Sequence, residues 1–136
     1  MGYESKLYIC KRINLGDGIL YNDTLAAINM SKMGEDFRHL FDDRLDGDFY
    51  GMDDDMSRFV ARPDSEEDVP ELVDNYGEWL RYTSLDKVLD WCNTYMDETD
   101  EFPYWRIAVL QETLSSIKQH FKALRNKQLI IVHYGY

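Results

Sequence analysis

The chain has little with which to do chemistry. It holds two cysteines and three histidines in 136 residues. Cys10 and Cys92 lie far apart inside apolar stretches, so buried free thiols in a reducing compartment are expected rather than a disulfide. Two Cys with three scattered His also exclude a tetrahedral zinc site of ordinary spacing. Phosphate-cradling glycine loops, serine elbows and cysteine-centred signatures are missing, so the reading assigns no catalytic residue and no cofactor. Apolar runs long enough to cross a bilayer are missing too. Met1 to Lys6 has neither a basic nor an apolar leader region, and Lys6 stands where a myristoylation signal wants Ser or Thr. The expectation is a protein with no leader, no lipid anchor and no membrane partner. Positive charge is scarce. With a formal net charge of −11 and one basic cluster, Lys118 to Lys127, direct nucleic-acid binding is disfavoured.

What is present is enough apolar material to fold. Apolar residues make up 44% and aromatics 14% of the chain, ten of them Tyr, which separates it from disordered acidic chains. The length fits one domain, residues 1–136. Residues 5–13 alternate Leu7, Ile9, Lys11 and Ile13 with Tyr8, Cys10 and Arg12, the period of a strand. Asn14 to Gly18 is turn chemistry, and a second β-like run ends in Leu25 to Met30, which predicts a hairpin. Phe37, Leu40, Phe41 and Leu45 permit a short helix within Gly34 to Leu45. From Asp46 to Asp74 the pattern loosens into loop, with short strands only at Phe49–Tyr50 and Arg58–Arg62.

Glu78 to Thr83 reads as a strand, and Ser84 as the N-cap of a helix presenting Leu85, Val88, Leu89, Cys92, Tyr95 and Met96. After the acidic linker Asp97–Glu101, Pro103 opens a second helix to about residue 125, with Ile107, Leu110, Leu114, Ile117, Phe121 and Leu124 on one stripe. That stripe lasts under three heptads, so it is expected to pack on the domain's own sheet rather than in a coiled coil. Gln128 to Tyr134 closes the chain as a strand with an apolar middle, suited to a central position covered on both faces. The predicted class is α+β, an antiparallel or mixed sheet with two helices on one face.

The charge is local. Residues 35–75 hold fifteen acids against Arg38, Arg44, Arg58 and Arg62, an excess that equals the net charge of the whole chain. A solvated loop would explain such a stretch. Alternatively it forms a negative surface that docks on a basic one of the kind that holds nucleic acid. On that reading the partner-binding residues are Asp42, Asp43, Asp46, Asp48, Asp53, Asp54, Asp55, Glu66, Glu67 and Asp68. The interleaved Phe41, Phe49, Tyr50, Phe59 and Tyr76 would be interface anchors or core.

Within this segment Asp42 to Asp53 invites comparison with a twelve-residue calcium loop, Gly47 falling at the required glycine. Arg44 stands where the third-position oxygen ligand belongs, and the last ligand would be Asp rather than Glu. A calcium- or manganese-dependent protein built on this cluster is therefore the alternative, not the preferred reading. His39, His120 and His133 have no partner implied by spacing and are read as structural or solvated.

Tyr3-Glu4-Ser5-Lys6-Leu7-Tyr8-Ile9, the run Leu25 to Lys32 and the closing Leu129 to Tyr136 resemble small uncharacterised proteins of phages and prophages of low-GC Gram-positive bacteria. That resemblance implies a context and no residue roles: a phage accessory protein in the cytoplasm of a bacterial host. Small acidic phage proteins often block host defence or nucleic-acid machinery, anti-CRISPR proteins among them. The expectation is a non-enzymatic nucleic-acid mimic that inhibits a basic host or defence protein; a phage structural or assembly component is a further alternative.

Overall fold

The structure is a computed structural model and describes residues 4–14, 20–31, 35–45, 48–50, 79–99, 104–124 and 128–135. Strands β1 (Glu4–Asn14) and β2 (Leu20–Ser31) form the expected hairpin. The helix expected over Gly34 to Leu45 is limited to one turn, α1 (Glu35–Arg38). Tight turns follow it, with Leu40 N–H on the Phe37 carbonyl and Phe41 N–H on that of Arg38. The reason is that the chain, with Phe37 and Phe41 buried, must then extend to enter the sheet as β3 (Asp43–Arg44). Strand β4 (Asp48–Tyr50) contains the predicted Phe49–Tyr50; the strand predicted at Arg58–Arg62 lies outside the described residues.

Strand β5 (Arg81–Ser84) runs directly into α2 (Leu85–Glu98), where the Ser84 hydroxyl accepts from Lys87 N–H as an N-cap should. Helix α3 covers Trp105–His120, shorter than predicted at both ends. Tyr104 takes the cap position, and beyond His120 the chain tightens so that Leu124 N–H bonds the Phe121 carbonyl, the three-residue spacing common at helix ends. Strand β6 (Leu129–Gly135) completes a six-stranded sheet in the order β3-β5-β6-β1-β2-β4. All neighbours are antiparallel except β2 and β4, so the sheet is mixed.

Alternation along the strands divides the interior in two. Leu7, Ile9, Leu129 and Ile131 face the helices and meet Val88, Leu89, Cys92, Ile107, Leu110 and Leu114. Tyr8, Cys10, Ile130, Val132 and Tyr134 face the other way and pack with Leu45 and Leu80. β6 is thus central and covered on both faces, as its unbroken apolar run predicts. A bulge opposite Ile9 and Cys10 inserts Leu25 into β2, so Thr24 pairs Cys10 on the second face while Ala26 pairs Ile9 on the helix face.

The order of the strands also demands curvature. β3 and β4 form opposite margins, yet only residues 45–47 join them. Four Cα steps span at most about 14 Å, whereas five spacings of about 4.8 Å would hold the margins of a flat sheet about 24 Å apart. The sheet therefore curls until its margins approach, and buried Leu45 puts the closing side on the face away from α2 and α3.

Both cysteines are free and buried, and burial raises each thiol to about 12. His133 sits on the helix face of β6, 5.0 Å from the Phe41 ring and 6.5 Å from that of Phe37. Burial, with a smaller contribution from Arg38, lowers it from 6.5 to about 4. The unfolded imidazole takes up its proton near 6.5 and the folded one only near 4. Its contribution is therefore complete above pH 6.5 and is lost as pH falls towards 4, by ~3 kcal/mol at most. Denaturant titrations across this window should show the decline in the wild type and a flatter slope in His133→Leu.

Candidate functional site

The acidic segment reaches the described fold at its two margins. Asp42 and Asp43 stand exposed at β3, where Asp43 pairs Tyr82 through the backbone. The Asp42 carboxylate accepts from Lys87 Nζ at 2.6 Å, and its carbonyl from the Arg81 guanidinium at 3.3 Å. That bond with Lys87, then the lysine's charge, holds the Asp42 carboxyl below its usual value. Asp48 lies on the opposite margin, in β4, paired through the backbone with Tyr21 of β2. Asp46, Asp53, Asp54, Asp55, Glu66, Glu67 and Asp68 lie outside the described residues, as do Phe59 and Tyr76. Phe41 is core, 3% exposed.

Helix α2 extends the acidic surface, which sequence reading missed. Phe37 rests edge-on against Trp91 at 5.1 Å, setting α1 beside the middle of α2. Asp36 is exposed on α1, and α2 exposes Asp90, Asp97 and Glu98. An anchor was missed as well. Trp79, beside Leu80 whose carbonyl bonds Leu45 N–H next to β3, is 43% exposed and carries the Arg44 guanidinium 3.8 Å above its ring. Trp and Arg are both enriched among the residues that carry the binding energy of interfaces.

The basic end of α3 is partly neutralised. Lys118 Nζ lies 2.6 Å from an Asp86 oxygen, which raises its pKa. Together with Lys122 it rims a cleft of about 270 Å³ floored by Leu85, Leu89, Leu124 and Leu129. Arg125 lies outside the described residues. His120 is exposed and packs edge-on to Phe121, and His39 is also exposed.

The calcium-loop alternative fits this geometry poorly. Such a loop must fold its carboxylates inward around one ion. Here its second and third positions are the extended, paired Asp43–Arg44, and its seventh to ninth are β4 on the other margin. Asp42, the would-be first ligand, is held by Lys87, and the described residues contain no group of three or more potential metal ligands.

No protein-family model matches the chain, and no curated protein or solved structure is similar to it.

The geometry of the Asp42–Asp53 window leads to a direct expectation. Millimolar calcium or manganese should leave the melting temperature unchanged, since only a ligand that binds the native state raises it. A rise that disappears in Asp42→Asn would restore the metal reading.

Proposed function

We propose that this is a non-enzymatic binding protein whose acidic margin docks on a basic, nucleic-acid-handling protein of a bacterial host or its defence and inhibits it by occupying the place of nucleic acid. The observation that carries the reading is the confinement of the whole charge excess to residues 35–75. Exposed Asp36, Asp42 and Asp43 belong to that segment, and α2 exposes Asp90, Asp97 and Glu98 as well. Carboxylates at such density attract a lysine- and arginine-lined groove over a distance of about a Debye length, and they raise the association rate more than the final affinity. Trp79 with Arg44 would supply the desolvated contact that charge alone does not. The resemblance to small phage and prophage proteins gives the context in which such a mimic is useful.

Capture from host lysate should recover a basic partner whose retention falls as salt is raised. Replacing Asp53, Asp54 and Asp55 together by lysine should slow association with it roughly ten- to a hundredfold at low salt. Fold stability should move by no more than about 0.5 kcal/mol. Lys118→Glu with Lys122→Glu and Arg125→Glu is the control and should leave binding intact. Binding lost in the control and indifferent to the aspartates would assign the function to the basic end of α3 instead.

A further inference from the structure

The cleft between the start of α2 and the end of α3 has a lining suited to a small molecule. Leu85 and Leu89 of α2, Leu124 beyond α3 and Leu129 at the head of β6 give it an apolar floor, and Phe121 adds a ring. Sites for small ligands are built this way, concave and mostly apolar, with a few polar groups that fix orientation. Size bounds the occupant. A cavity of about 150 Å³ holds one benzene ring, so in proportion a cleft of about 270 Å³ takes roughly ten non-hydrogen atoms.

The polar rim is unbalanced. Lys118, Gln119 and Lys122 bring N–H donors to it, and the carboxylate among the described lining residues is Asp86. Lys118 is already committed, because its Nζ lies 2.6 Å from an Asp86 oxygen and the charge of Asp90 reaches it as well. Lys122 is not. It is exposed and, among the described residues, makes no side-chain hydrogen bond or ion pair, and neither does the Gln119 amide. With 26 acids to 15 bases in the chain, carboxylates are plentiful, yet none of the described ones engages this ammonium.

We propose that this cleft binds a small apolar monocarboxylate, an acyl or aryl acid whose body lies on the leucines and whose carboxylate meets Lys122 and the Gln119 amide. The floor selects the apolar body, and the uncommitted ammonium beside it selects an anionic head. A single charge suits the rim. A phosphate dianion would set a second negative charge near Asp86 and Asp90 with Lys118 already engaged. The charge excess of the chain does not oppose such a ligand locally. It lies in residues 35–75, to which none of the described lining residues belongs, and Asp42, which does reach α2, is paired there with Lys87. This site goes beyond docking through the acidic margin and shares no residue with it.

Octanoate matches the size and charge, and octanol is its neutral counterpart. Titrated into the full chain and followed by amide NMR shifts, octanoate should saturate at roughly millimolar concentration, with shifts shared by Leu89, Lys122, Leu124 and Leu129. It should bind roughly three- to fivefold more tightly than octanol, the range an exposed ion pair supplies. Lys122→Gln should abolish that preference by weakening octanoate and leaving octanol unchanged. Asp86→Asn should strengthen octanoate, because it removes the carboxylate of the rim and frees Lys118. Ser115→Phe, at an exposed position of α3 that lines the cleft, should place a ring in the mouth and weaken both probes while the circular dichroism stays native. Equal binding of octanoate and octanol overturns the proposal, as does a preference that survives in Lys122→Gln. Absence of saturable shifts in the cleft at roughly ten-millimolar octanoate overturns it too. None of these outcomes bears on the capture of a basic partner, so the two readings fail separately.

Discussion

Strand β6 has to bury both of its faces, and the rest of the molecule is arranged around that requirement. Its six residues from Leu129 to Tyr134 are all buried. Helices α2 and α3 meet the need on one side, supplying an apolar stripe each. The other side has no described helix, and the cover there includes Leu45 and Leu80 beside Tyr8 and Cys10. Curling the sheet brings this cover in. The short β3–β4 connection forces the margins together, and the side chain that begins it, Leu45, enters the second cluster. Curvature and the second core thus have one cause, a three-residue link that a flat sheet could not accommodate.

The same link determines where the acidic segment meets the fold. Because β3 and β4 are neighbours in sequence and opposite in sheet order, Asp42, Asp43 and Asp48 fall along the seam. Exposed ion pairs such as Asp42–Lys87 and Asp86–Lys118 contribute little to stability. Their larger effect is on the surface field: they engage lysines of α2 and α3, and Lys118 also feels the charge of Asp90.

Much of the fold was legible because each long element carries its own period. Alternation in residues 5–13, the Ser84 cap with its Leu85–Val88–Leu89–Cys92 face, and the Ile107–Leu110–Leu114 stripe are local signals that tertiary contacts reinforce. The unbroken apolar run of β6 even announced its central position. Short elements were less legible, for an equally physical reason. A two-residue strand such as β3 exists only because β5 offers an edge, and α1 stops after one turn because the chain beyond Phe37 must extend to reach that edge. The bulge at Leu25 also left no sequence mark, since Thr24, Leu25 and Ala26 are all acceptable in a strand and the inversion of faces comes from pairing with β1. Of the candidate site, the charge excess could be counted from the sequence, but its extension onto α2 could not, because Asp90, Asp97 and Glu98 read as an ordinary solvated helix face.

The acidic charge and the neutral edge are linked rather than merely coexistent. An uncharged strand edge of this length would ordinarily invite indiscriminate pairing. Most natural edges are protected by charges on the strand itself; β2 has none between Thr24 and Ser31. Its protection comes from a distance, because a body of net −11 repels any similar body approaching in most orientations. Long-range repulsion of this kind discriminates by geometry. It opposes approach through surfaces dense in carboxylates and weakens where they are sparse. The charge thereby restricts how copies of the molecule can meet.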